Sequence, residues 1–272
     1  MAKLSVSEKP DMLESLIFSL VVGASVGLAA GYLGSIMVLE KMALVGDAMS
    51  HVALPGLALG VLLGFNPLFG GFLFLFVSAI LIWHVSRVTK LSFETLVGAA
   101  FTLALAIGIL LFRNLDALEA ALFGDIAQVT IVSAGIAVAV SIVVILLTRL
   151  IYKNIVIGLI SEELAMSKGV SIAKTNLLYL LLVSVTVAIG IQITGTLLVG
   201  FLVVTPAAAA RIVSGNMSRY LVLSAIFGLV SAVSGILLSG YFSVLPGPLV
   251  VISGVAIFII VLIIRWRKKL ES

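Results

Sequence analysis

The chain has 272 residues, of which 62% are hydrophobic and only 10% charged, with a formal net charge of +4. A soluble domain carries roughly 45–50% apolar and about 25% charged residues, so this composition excludes an ordinary soluble enzyme or binding module. It calls for an all-α, polytopic membrane protein bathed in lipid. The sequence pI of about 9.4 predicts no nucleic-acid partner, because basic residues in a membrane protein report orientation.

Residues 1–14 form a polar tail. The apolar run that follows is too long for the core of a cleavable signal and reads as a first span. Nine apolar segments are predicted, at about 15–38, 42–64, 68–88, 95–112, 126–150, 175–194, 196–213, 220–242 and 246–264. The run from Leu177 to Ala210 is almost unbroken. As one helix it would be about 50 Å long, against a hydrocarbon core of about 30 Å. It is therefore split at Ile193–Thr196, where one half could be short or re-entrant; leaving it whole gives the alternative of eight spans. Residues 15–264 make a single transmembrane domain, and 265–272 a basic tail carrying "RWRKK".

Positive charge supports nine spans. With the N-terminus outside, thirteen basic residues fall on the cytoplasmic side, from Lys41 and Arg87 to Lys268 and Lys269. Three, Lys3, Lys9 and Arg113, fall outside. That is the bias of the positive-inside rule, and it places the C-terminus in the cytoplasm. The polar segment 152–176 lies on the same side. Within it "SEELAMSKG" predicts a short helix, with Ser161 as N-cap, Glu162 and Glu163 in the first turn, and Gly169 ending it.

Inside the second span, "GDAMSHVALPGLALG" carries Asp47 and His51. Ionisable groups within a span are costly and mark function. At i and i+4 they share a helix face, with Cβ atoms about 6 Å apart. A carboxylate oxygen and an imidazole nitrogen can then converge on one cation at ~2.0–2.2 Å. Two ligands do not fill a coordination shell. Two copies about a two-fold axis would give two Asp and two His, suited to zinc, manganese or ferrous iron. The bland alternative is an Asp–His hydrogen bond that only satisfies two buried groups. Pro55 and Gly56 follow at once and predict a helix break beside the pair. Among weaker candidates, His84 beside Trp83 reads as interfacial. Gln192, Thr194 and Thr196 read as interhelical hydrogen-bonders or the lining of a vestibule. Asp116, Glu119 and Asp125 read as outer-loop acids.

These residues resemble the permease subunits of the zinc/manganese/iron ABC transporter family, whose signature is G-D-A-x-S-H-x-x-L-P-G-x-A. Further matches are "LFGDIAQVT" (122–130), "EELAMSKGVS" (162–171), "GTLLVGFLVVTPAAAARIVS" (195–214) and "LPGPLVV" (245–251). The resemblance covers nearly the whole chain. The long N-terminal tail and Leu245-Pro246 depart from the pattern. It implies a helical homodimer, a cytoplasmic ABC ATPase on each copy, and an extracytoplasmic protein that delivers the metal. It also implies that Asp47 and His51 are the metal ligands. Glu162, Glu163, Ala165 and Gly169 match the coupling loop by which ABC importers dock a helix in their ATPase. No G-x-x-x-x-G-K-[ST] occurs, so ATP hydrolysis is assigned to a separate chain, and this one is no enzyme.

The expected function is that of the permease in an ATP-driven divalent-metal importer working by alternating access. No cofactor is held permanently; the ion is cargo. Ligation needs an ionised carboxylate and a neutral imidazole, so occupancy should weaken as pH falls. Three rivals remain open: an ATPase-independent ion-coupled carrier or channel, a permease for metal chelates, and an intramembrane metalloenzyme. The last would need a fuller motif such as H-E-x-x-H, and the chain has only two histidines.

Overall fold

The computed structural model describes residues 12–112, 115–124 and 129–270. The described elements are all helices: α1 (Met12–Leu39), α2 (Ala43–Val52), α3 (Leu54–Leu63), α4 (Pro67–Thr89), α5 (Phe93–Leu111), α6 (Leu115–Phe123), α7 (Ile131–Ile160), α8 (Glu162–Ser167), α9 (Ile172–Val213), α10 (Met217–Phe242) and α11 (Pro246–Leu270). Among the described residues, nine helical stretches are long and apolar enough to cross a membrane. In lipid the backbone must satisfy its own hydrogen bonds, which is why helices are the only open-chain solution. α5 and α7 turn Leu103, Leu110, Leu146 and Leu150 outward, each more than half exposed, as a surface facing acyl chains would be.

The second span, Ala43–Leu63, is built from two helices. α2 ends at Val52 and α3 starts at Leu54, with Ala53 between them. Pro55 explains the interruption: it offers no N–H to a preceding carbonyl, and its ring crowds the turn before it. The helix break predicted beside Asp47 and His51 is therefore where Pro55 requires it.

α9 spans 42 residues but is not one rod. Gly195 stands at φ 70°, ψ 176°, a region essentially confined to glycine. A Cβ on Gly190 would lie 2.3 Å from the Val199 side chain. In a continuous helix those residues would be about 13 Å apart along the axis. The chain therefore turns back on itself, and α9 is two limbs, Ile172–Gln192 and Thr194–Val213. The split expected at Ile193–Thr196 falls on this reversal.

Small residues set the helix packing. α1 carries Gly27 and Gly31, and α10 carries Ser224 and Gly228 opposite them. A Cβ on Gly31 would be 2.2 Å from the Ser224 carbonyl oxygen, and one on Gly228 would be 2.1 Å from that of Gly27. Ser224 Oγ donates to Gly31 O at 2.5 Å. Between membrane helices, where solvent drives no association, such close contact and interhelical hydrogen bonds supply the adhesion.

One boundary differs from expectation. The polar segment starting at Tyr152 is helical as far as Ile160, because α7 continues past Leu150. Thr148, Ile151 and Ile155 are all buried, spaced as one helix face. That stripe carries the helix through Tyr152, Lys153 and Asn154. The short helix expected after Ser161 then forms as α8, with Ser161 Oγ accepting from the Leu164 N–H at 3.2 Å.

Candidate metal site

α2 places the two candidate ligands. His51 is 8% exposed and rests edge-on against Phe101 of α5, with ring centroids 5.1 Å apart. Asp47, one turn earlier, is exposed on the surface of the single chain. Leu44, on the same face, is 68% exposed. The pair thus joins a fixed imidazole to a carboxylate on an open face. Among the described residues of one chain, no three His, Cys, Asp or Glu side chains gather as a metal-binding group.

The hydrogen bonds around His51 define its chemistry. Nδ1 lies 3.1 Å from the Asp47 carbonyl oxygen. A carbonyl only accepts, so the neutral imidazole carries its proton on Nδ1 and keeps the Nε2 lone pair for a ligand. This is the arrangement that metal-binding histidines adopt, with the second nitrogen donating to a carbonyl or carboxylate.

Backbone contact fixes Asp47. The second limb of α9 passes so close that a Cβ on Gly200 would lie 2.4 Å from Asp47 Cα and 2.8 Å from its Oδ1. Only glycine leaves the carboxylate where it is. Pro55 and Gly56 sit just beyond, on α3, both buried. A Cβ on Gly56 would meet the Gly70 carbonyl oxygen at 2.2 Å, which locks α3 onto α4.

The candidate site thus lies where α2, α3 and the reversed α9 meet. The model of the ABC 3 transport family matches residues 12–265. The chain belongs to the ABC 3 transport family. It is 29% identical over 255 residues to the manganese transport system membrane protein MntC of Listeria monocytogenes, covering 93% of this chain and 91% of that one. It is 32% identical over 266 residues to the high-affinity zinc uptake system membrane protein ZnuB of Haemophilus influenzae, covering 94% of this chain and 100% of that one. Among solved structures it resembles PsaBC from Streptococcus pneumoniae in complex with Fab, with TM-score 0.81, 29% identity and 95% of both chains covered.

In this member of the ABC 3 transport family the residues expected to dock an ATPase lie on and just after α8, not on α2 with the metal candidates. Glu162 and Glu163 are exposed at the start of α8, Ala165 is fully buried beneath them, and Gly169 follows at φ 72°. Ala165 anchors the helix while the acids face outward. Beside α8 lies a cleft of about 430 Å³ lined by Glu40, Asn154, Ser161, Glu162, Thr175 and Asn176.

The weaker candidates separate. Trp83 Nε1 donates to Ala173 O at 2.7 Å, and Arg87 covers its ring at 5.1 Å. His84 is exposed beside them. Gln192 Nε2 donates to Ser133 Oγ at 3.3 Å and also lines a cavity of about 450 Å³ with Asn66 and Thr130. Thr194 and Thr196 are buried; Thr194 Oγ1 donates to Gly190 O at 3.1 Å. Glu119 is exposed on α6. Asp125, with Ile126, Ala127 and Gln128 of the "LFGDIAQVT" stretch, lies outside the described residues, as does the Asp116 side chain. Sequence reasoning missed Ser50, Gly200 and Phe101, each of which touches the candidate pair.

Proposed function

We propose that this chain is the membrane-spanning permease of an ATP-driven importer of divalent metal ions, with Asp47 and His51 as ligands to the passing ion. The observation that carries the reading is the exposed Asp47 carboxylate on a membrane-spanning helix. An acid facing lipid is expensive, so a second copy of the chain covers this face. Pairing about a two-fold would bring two carboxylates and two imidazoles to one axis. The relatives named above are manganese and zinc systems, and a mixed N/O set suits both ions.

In the proposed cycle an extracytoplasmic binding protein releases the ion into an outward-open cavity. Asp47 and His51 of both copies replace its water ligands. ATPase subunits docked against α8 then drive the pair inward, and the ion leaves to the cytoplasm. The protein resides in the cell membrane with its basic C-terminal tail inside, and ATP hydrolysis belongs to the partner chains. The test is uptake of manganese and zinc by the complete transporter in proteoliposomes. Asp47→Ala and His51→Ala should each abolish ATP-dependent uptake while leaving the assembled complex intact. Wild-type uptake in both variants removes the ligand assignment. Uptake that persists without ATP replaces the importer with an ion-coupled carrier.

A further inference from the structure

Ser50 separates the two candidate ligands in sequence and is fully buried, with 0% exposure. Its hydroxyl sits at a junction. Ser50 Oγ donates to the Thr196 carbonyl oxygen at 2.5 Å, on the far side of the α9 reversal. It lies 2.6 Å from the Asp47 carbonyl oxygen, a second acceptor. It also lies 3.2 Å from His51 Nδ1. A hydroxyl has one proton and two lone pairs. With that proton committed to carbonyl oxygens, Ser50 can offer His51 only a lone pair. Nδ1 must then be the donor, which is the same tautomer that the Asp47 carbonyl requires.

We propose that Ser50 is a positioning residue: its hydroxyl holds His51 in the Nδ1–H tautomer, turns Nε2 toward the ion, and ties that setting to the α9 limb beyond Gly195. The proposal rests on the metal-site reading above. It gives α2 and α9 one shared fastening at the site, so a shift of the Thr196 carbonyl is transmitted to the imidazole through a single oxygen atom. Partners in this position typically change metal affinity by about 10- to 100-fold when removed.

The experiment uses the full-length permease with its ATPase in lipid nanodiscs and cobalt(II) as the probe. Affinity and the visible spectrum of the bound cobalt, which reports its ligand geometry, are measured together. Ser50→Ala should weaken cobalt binding about 10- to 100-fold and shift the spectrum of the ion that remains bound. Ser224→Ala is the control. It removes another fully buried interhelical serine–carbonyl bond, between α10 and α1, and should leave affinity and spectrum as in the wild type. Wild-type affinity and spectrum in Ser50→Ala overturn the proposal. A weakened affinity with an unaltered spectrum gives Ser50 a packing role and overturns it equally. Asp47→Ala and His51→Ala are measured alongside. If they bind cobalt normally, the ligand reading fails; if they lose cobalt while Ser50→Ala does not, only the positioning role fails.

Discussion

At the scale of single residues the candidate site is defined as much by an absent side chain as by present ones. Gly200 lets the α9 backbone reach Asp47, and Gly200→Ala would place a methyl group 2.4 Å from Asp47 Cα. Overpacking of this kind costs about 1–3 kcal/mol, and here it would be relieved by moving the carboxylate. We expect a loss of metal affinity of about 10-fold or more, the range for disturbed ligand support, checked by cobalt or manganese titration of the assembled transporter. The sequence made Asp47 and His51 legible because their cost in a span and their i, i+4 spacing are local facts. Pro55 was legible for the same reason. Gly200 and Ser50 were not. Their importance arises from a contact between positions about 150 residues apart, as the Ser50–Thr196 bond illustrates. Phe101 was hidden likewise, as one aromatic among fourteen phenylalanines.

At the scale of elements, α9 carries the most information. Its reversal rests on Gly195, whose absent Cβ would lie 2.1 Å from the Leu122 carbonyl oxygen at the end of α6. Gly195→Ala forces an L-residue into a conformation costing about 1–3 kcal/mol and drives α6 off its seat. A lower melting temperature of the purified protein in detergent is expected, together with reduced uptake; an unchanged melting curve would contradict the role given to Gly195. Length and charge bias alone exposed this reversal in the sequence. The end of α7 was not legible, since Tyr152, Lys153 and Asn154 look like a loop until the buried stripe of Thr148, Ile151 and Ile155 is known. The adhesion of α1 to α10 through Gly27, Gly31 and Gly228 had a usable signal, the small-x-x-x-small spacing in both helices. That spacing does not say which helix meets which.

At the scale of the whole molecule, one cleft gathers Glu40, the α7–α8 junction and the start of α9. Burial pushes the Glu40 carboxyl above its ordinary value of 4.5. The folded protein thus holds this proton at pH values where the unfolded chain has released it. The stabilising contribution is full below the ordinary value and is lost as pH rises through the raised one. Glu40→Gln removes the ionisation, so its melting temperature should fall less than the wild type's across that window. Parallel melting curves of the two proteins over a pH series would refute the assignment. The nine spans were legible as long apolar runs, but no periodicity in a single chain reveals the proposed two-fold partner. The exposed Asp47 on α2 is the feature that asks for one.

The turn in α9 is made by one glycine, and the limb beyond it meets α2 at two points one helical turn apart, Thr196 and Gly200. Each residue of an α-helix advances the side chains by about 100°. Adding or deleting a single residue between Thr196 and Gly200 would therefore turn one of them relative to the other by more than a quarter revolution. Either the Thr196 carbonyl would face away from Ser50 or Gly200 would no longer lie beside Asp47. The stretch from Gly195 to Gly200 is thus fixed in length, and at its two glycines in residue as well.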